Sequence, residues 1–174
     1  MKIISSIFLL LLFSSATIAQ KRIDYGVLQR PGEEVVFGFT LKKTNKIVLV
    51  CSQKDNKYMV YRFGTKDKVE LQYPSVLNAA SWKAFRYSGY SRGGMNNSPM
   101  EMHSLTFTNN HVTYKISEDW DGDHHASWAD IIIDLNGKKT KLAGNASSKN
   151  GSLGLLRDKE DLIHNYYEDD IEGY

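Results

Sequence analysis

Residues 128–143, Trp-Ala-Asp-Ile-Ile-Ile-Asp-Leu-Asn-Gly-Lys-Lys-Thr-Lys-Leu-Ala, decide the fold that the sequence predicts. Ile131, Ile133 and Leu135 lie two residues apart, which is the spacing of side chains on one face of a β-strand. Asn136-Gly137 follows, and this dipeptide favours a two-residue hairpin turn because both turn positions need positive φ. We therefore expect residues 128–135 to pair with residues 138–143 as an antiparallel hairpin.

The same two-residue period recurs along the chain after Pro31. It predicts further strands around residues 35–41, 47–51, 58–63, 69–73, 82–88, 102–108 and 111–117. Turn residues at 64–67 and at Asn109-Asn110 separate neighbouring strands. Residues 74–80 could form a short helical turn, and residues 158–167 a short helix or a last strand. The pattern predicts an all-β fold: a single antiparallel β-sandwich or barrel of roughly eight strands, with minor helix.

Residues 1–19 have the organisation of an export signal. Lys2 precedes an apolar run over residues 3–13, and small residues follow it. The run is shorter than the ~20 residues that span a bilayer. We therefore expect cleavage after Ala16 or Ala19, and a periplasmic or secreted protein without a transmembrane segment. The expected β-rich domain covers residues 20–167, and residues 168–174 form an acidic C-terminal tail.

The charge balance argues against a nucleic-acid-binding protein, and the cysteine content excludes an intrachain disulfide. The 174 residues carry 22 Lys and Arg against 20 Asp and Glu. Lys2 is the one charge before residue 20, so cleavage would lower the formal net charge from +2 to +1. A nucleic-acid binder needs a basic excess that this chain lacks. Cys51 is the single cysteine, which excludes an intrachain disulfide, and we interpret it as a small buried hydrophobe.

Residues 82–94 combine aromatic and basic side chains with glycines. On a strand over residues 82–88, alternate aromatic side chains would face the core and the others would face outward. Trp, Tyr and Arg are enriched at binding hot spots. We therefore predict a binding surface formed by Trp82, Arg86, Tyr90 and Arg92. Residues 89–93 also match the G-x-S-x-G spacing around Ser91, but loop residues follow where a nucleophile elbow needs a helix.

The acidic stretch at residues 119–130 indicates an alternative to the predicted binding surface, namely a metal site. Asp119, Asp121, Asp123 and Asp130 have the spacing of carboxylates in an oxygen-ligand calcium loop, although His124 stands where that loop needs glycine. The stretch is either a solvated acidic loop between strands or a metal site. A metal site would indicate a calcium-stabilised module, or an envelope hydrolase that depends on Ca or Zn. The histidines do not have the spacing of zinc-binding motifs.

Three stretches resemble a family of uncharacterised exported bacterial β-rich proteins. They are residues 61–64, Tyr-Arg-Phe-Gly; residues 69–74, Val-Glu-Leu-Gln-Tyr-Pro; and residues 85–94, Phe-Arg-Tyr-Ser-Gly-Tyr-Ser-Arg-Gly-Gly. Residues 105–110 and 112–114 resemble the next hairpin of that family. The likeness extends over residues 47–117 and includes no cofactor or catalytic motif. It implies a protein of the bacterial envelope.

These features together predict an exported, non-enzymatic binding protein of inhibitor or immunity type. It would act by surface occlusion of another protein in the envelope, and it would need no cofactor. The inhibitor and immunity types are an analogy: small exported β-proteins of this general size include inhibitors of cell-wall hydrolases and immunity proteins against envelope toxins.

Overall fold

The computed structural model describes residues 23–93 and 97–165, so the expected export signal and acidic tail lie outside the described residues. Within those ranges the chain folds into two β-sheets joined by loops and short 3-10 helical segments. The predicted all-β fold with minor helix is therefore confirmed. The two sheets remain separate and share one hydrophobic core, so the architecture is a sandwich and not a closed barrel.

Eleven strands, two of them only two residues long, follow one another along the described chain. They are β1 (Glu33–Thr40), β2 (Ile47–Gln53), β3 (Met59–Thr65), β4 (Lys68–Tyr73), β5 (Arg86–Arg92), β6 (Met100–Asn109), β7 (Val112–Asp121), β8 (Ala126–Leu135), β9 (Lys138–Ala143), β10 (Asn150–Gly151) and β11 (His164–Asn165). The 3-10 segments are Gly26–Leu28, Lys54–Asn56, Ala79–Ala84, Ala146–Ser148 and Leu153–Leu156.

The five-stranded sheet has the order β10-β1-β2-β3-β4, and the six-stranded sheet has the order β11-β5-β6-β7-β8-β9. Neighbouring strands are antiparallel, except that β11 pairs with β5 in parallel. Most neighbours in each sheet are consecutive along the chain, so simple hairpins account for most of the pairing.

Both faces of the five-stranded sheet are buried at its central strands β2 and β3. On β2, Val48 and Val50 face the core between the sheets, whereas Leu49 and Cys51 face a second apolar cluster with Leu28. Leu28 belongs to the segment before β1, which covers the outer face of this sheet. Burial on both sides explains why residues 47–51 form an unbroken apolar run. Cys51 is 1% exposed, in agreement with its interpretation as a buried hydrophobe.

The six-stranded sheet buries one face and leaves the other open. Its inner face carries an aromatic cluster, in which Phe107 stacks on Tyr73 of β4 and on Tyr114 with ring centroids 4.5 and 4.9 Å apart. Offset aromatic packing of this kind adds to the burial of apolar area in the core. The outer face carries the side chains that alternate with these inner residues, and it holds the candidate site described below.

The predicted hairpins form with small shifts at their turns. β8 pairs with β9 as expected, and Asn136 and Gly137 have φ of 52° and 83°. In the hairpin of β6 and β7 the turn residues are Asn110 and His111, with φ of 49° and 64°. That turn lies one residue later than the predicted Asn109-Asn110, because Asn109 pairs with Val112 as the last pair of the ladder.

The predicted strand over residues 82–88 is wrong in its first half. Ala79–Ala84 is a 3-10 segment, and β5 begins only at Arg86. The side chain of Asn78 accepts a hydrogen bond from the Ala80 N–H at 2.9 Å and caps this segment. Trp82 is 2% exposed, and its indole N–H donates to the Asn56 carbonyl at 2.9 Å. Trp82 therefore fills the core and does not share a face with Arg86 and Tyr90.

Candidate functional site

A groove crosses the outer face of the six-stranded sheet. Its floor is one cross-strand row, here called the serine row, in which Ser88, Ser104, Ser117 and Asp130 lie opposite one another on β5 to β8. Serine side chains are small, so this row forms a depression between the two neighbouring rows of larger side chains. The cavity above the floor has a volume of about 560 Å³. That volume lies within the roughly 300–1,000 Å³ of small-molecule sites in proteins.

Members of two neighbouring rows line the walls of the groove: Tyr90, Met102 and Asp119 on one side, and Lys115, Ile132 and Lys141 on the other. The aromatic row consists of Tyr90, Met102, Asp119 and Trp128. The basic row consists of Arg86, Thr106, Lys115, Ile132 and Lys141. Each row takes one residue from each successive strand. The groove therefore runs across the strands, and it exists only because the register aligns these residues.

Two polar atoms of the groove are buried without a hydrogen-bond partner among the described residues: Ser104 Oγ and Asp130 Oδ1. The two residues are only 5% and 3% exposed. The other carboxylate oxygen of Asp130, Oδ2, pairs with Lys141 Nζ at 2.7 Å. Leaving a buried polar group unmatched costs about 1–3 kcal/mol. A ligand that offers hydrogen-bonding groups at this point would recover that free energy.

A second carboxylate, Asp119, lies in the same groove. Burial raises its pKa above the ordinary aspartate value, and the nearby charge of Asp130 raises it further. Lys141 and Lys115 act in the opposite direction. The groove thus holds two acidic and two basic groups, and neither sign of charge is in excess among its titratable lining residues.

A hydrogen bond behind the groove requires the glycine at position 89. Tyr87 Oη and His103 Nδ1 are 2.9 Å apart on the inner side of β5 and β6. A Cβ atom at Gly89 would clash with Tyr87 Oη, because it would lie closer to that oxygen than any normal contact. Burial lowers the pKa of His103, so the neutral ring is favoured in this position.

Of the predicted binding residues, the structure places three on one face. Arg86, Tyr90 and Arg92 alternate along β5 on the outer side, and Tyr90 is 52% exposed. Arg92 lies beyond the aromatic row, and its Nε–H donates to the Ser98 carbonyl at 3.2 Å. Trp82 lies in the core, as described above. Ser91 lies within β5 and not at a turn between a strand and a helix, so the geometry of a nucleophile elbow does not form.

The four carboxylates of residues 119–130 do not converge on one point. Asp119 and Asp130 line the groove, whereas Asp121 closes the turn between β7 and β8. Its carboxylate accepts the N–H of Asp123 at 2.9 Å and pairs with His124 Nδ1 at 2.8 Å. Residues 23–93 and 97–165 contain no group of three or more His, Cys, Asp or Glu side chains placed to hold a metal ion.

Sequence reasoning missed the floor and one wall of the groove. No motif includes Ser104, Ser117, Lys115 or Lys141. They lie at polar positions of strands along which polar and apolar residues alternate. The available signal was the strand register, since consecutive hairpins of known turn position fix which residues lie opposite one another. The one-residue error at the Asn110-His111 turn would have shifted that register and hidden the row.

Comparisons with protein-family models, with curated proteins and with solved structures found no match to this chain. The resemblance to exported bacterial proteins therefore stays a prediction. In the described part of the chain, no helix is long and apolar enough to cross a membrane.

Proposed function

We propose that this chain is an exported, non-enzymatic binding protein that captures a protein of the cell envelope on the outer face of the six-stranded sheet. It acts by occluding the surface of its partner, in the manner of an inhibitor or immunity protein. The contact surface consists of Arg86, Tyr90 and Arg92 of β5 together with the exposed side chains of the aromatic row.

One observation carries this proposal. Tyr90, Met102 and Trp128 are 52%, 39% and 47% exposed, and they lie in one cross-strand row, in which Asp119 separates Met102 from Trp128. Scattered exposed apolar residues are ordinary, but a contiguous set is typical of interaction surfaces. Arg92 follows Tyr90 on the same face of β5, and Arg86 lies on that face across the serine row; arginine is enriched with aromatic anchors at hot spots.

The test uses a photocrosslinking amino acid at position 90 of the mature protein, with the same probe at position 76 as control. Val76 is 65% exposed and lies outside the six-stranded sheet. In an envelope extract, the probe at position 90 should crosslink to a defined protein that the probe at position 76 does not reach. Equal crosslinking from both positions would contradict the proposal.

The affinity of variants of this chain for the identified partner then tests the assigned contact residues. Tyr90→Ala with Arg92→Ala should cost about 2 kcal/mol or more, which is roughly a thirtyfold rise in Kd. The control variant, Val76→Ala with Lys43→Ala, removes an exposed apolar and an exposed basic side chain elsewhere and should bind like the native protein. Unchanged affinity in the Tyr90 and Arg92 variant would refute the assigned surface.

A further inference from the structure

We infer that the groove along the serine row binds an uncharged saccharide on its floor, between walls that share Tyr90 and Met102 with the proposed contact surface. This inference goes beyond the proposed function, because it concerns the buried floor at Ser104 and Asp130 and not the exposed rim. It is carried by the two unmatched polar atoms, by the balance of charge in the groove and by its apolar walls.

The unmatched atoms define what the ligand must offer. Asp130 Oδ1 accepts hydrogen bonds only, and Ser104 Oγ both donates and accepts. Both residues are more than nine-tenths buried and line the cavity. A hydroxyl group can donate to the carboxylate oxygen and can exchange either kind of hydrogen bond with the serine. A purely apolar ligand would leave both atoms unmatched, so the ligand must be polar.

The charges in the groove favour a neutral ligand. Lys141 already neutralises Asp130 through the 2.7 Å contact at Oδ2, so Oδ1 can accept a hydrogen bond without a cationic partner. A cation in the groove would meet Lys141 and Lys115, and an anion would meet Asp119 and Asp130. Because like charges in a partly desolvated site repel, ligands with a strong charge of either sign are disfavoured.

The remaining lining fits a ring that carries hydroxyls at its edge and C–H groups on its faces. Tyr90, Met102 and Ile132 supply apolar surface above the polar floor. Tyr90 also has a hydroxyl, so it can contact both parts of such a ligand. A peptide fits less well, since the groove crosses the strands in the middle of the sheet and offers no free strand edge for backbone pairing.

The experiment is calorimetry of the mature protein with neutral oligosaccharides: maltohexaose, cellohexaose and chitohexaose. Parallel arms use a sulfated heparin oligosaccharide, spermidine and an uncharged Gly-Ser peptide. At least one neutral oligosaccharide should bind at millimolar concentration or below, and the other arms should not. Binding confined to heparin, spermidine or the peptide, or binding in no arm, would overturn the inference.

Variants locate the site. Ser104→Ala and Asp130→Asn should each weaken binding about tenfold or more, since the first removes a hydrogen bond in a desolvated position and the second replaces a charge-assisted hydrogen bond with a weaker neutral one. Ser88→Leu leaves both of those atoms in place and should abolish binding by filling the floor. Asp134→Asn is the matched control, because it changes the same residue type on the same strand and face, outside the groove, and its affinity should be unchanged.

Thermal melts of each variant show that the fold is retained. Neutral saccharide binding that persists undiminished in folded Ser104→Ala and Ser88→Leu would refute this location. Loss of saccharide binding with retained crosslinking from position 90 separates this site from the contact surface. Absence of any saccharide binding would likewise leave the proposed protein capture standing.

Discussion

Arg62 and Glu33 form a buried ion pair under the segment that precedes β1, and loss of one partner should strongly destabilise the fold. Their side chains are 1% and 0% exposed. Arg62 Nη1 and Nη2 donate to the two Glu33 oxygens at 2.6 and 2.9 Å. Nη1 also donates to the Leu28 carbonyl at 2.9 Å, and so attaches the covering segment to β3.

The perturbation is Arg62→Met, which keeps much of the apolar stem and removes the guanidinium. Glu33 then remains buried with hydrogen bonds only from the Tyr58 hydroxyl and the Arg30 N–H, both at 2.8 Å. Removing one partner of a buried ion pair costs about 3–5 kcal/mol, because the other charge is left uncompensated. For a domain of this size, that corresponds to a fall in Tm of roughly 6–20 °C.

The assay is urea unfolding of the protein at neutral pH, followed by tryptophan fluorescence. Glu33→Gln, alone and combined with Arg62→Met, completes a double-mutant cycle. The double variant should be less destabilised than the sum of the single variants by about 1–3 kcal/mol, since it leaves no buried charge. Lys66→Met is the control, because its 2.9 Å pair with Asp24 is exposed, and its unfolding curve should match that of the native protein.

The reasoning is refuted if Arg62→Met lowers the free energy of unfolding by less than about 1 kcal/mol, or if the two single changes add without coupling. Either result would mean that water reaches Glu33 once the guanidinium is gone, and that the covering segment does not depend on this pair.

Three further predictions concern the groove and the core. Burial raises the pKa of Asp119 in the folded state, so ionisation of this carboxyl lowers the stability of the fold. Asp119→Asn should therefore raise the Tm at neutral pH, and this gain should vanish as the pH falls below the unfolded-state pKa of about 3.9. A gain in Tm that is independent of pH would contradict the burial argument. Gly89→Ala should disrupt the contact between Tyr87 and His103 and cost about 1–3 kcal/mol in urea unfolding. Gly93→Ala, whose added Cβ has no atom of the described residues within 4 Å, should cost little, and equal effects would exclude the clash. Burial raises the pKa of Cys51 to about 12, so a thiol reagent should label the protein only as fast as it unfolds, and rapid labelling of the native protein would show that the thiol is accessible.

Local sequence predicted most of the strands because the signals for them are short-range. The alternation of apolar residues over two or three positions reports which face of a strand is buried, and Asn136-Gly137 fixes its turn through positive φ alone. The same reasoning failed at residues 82–85. Alternating aromatics there satisfied the strand pattern, but the Asn78 cap and the core position of Trp82 belong to a 3-10 segment. Aromatic spacing does not distinguish a short buried turn from a strand.

The common face of three predicted binding residues was recovered for the same reason, whereas their role in binding stays a prediction. Arg86, Tyr90 and Arg92 share a face because they alternate along one strand, and alternation is visible in the sequence. The prediction continued this alternation back to Trp82, which precedes β5 and belongs to the 3-10 segment Ala79–Ala84, where the alternation of a strand does not apply.

The sequence by itself determined the fold class, the turn at Asn136-Gly137 and the face on which Tyr90 and its neighbours on β5 lie, because each depends on residues a few positions apart. Only the tertiary structure decided the groove, since Ser88, Ser104, Ser117 and Asp130 meet through the register of four strands. It alone paired Arg62 with Glu33 across 29 positions of the chain. Whether a polar residue on a strand faces solvent or a shared buried site depends on packing between distant segments, which no local pattern encodes.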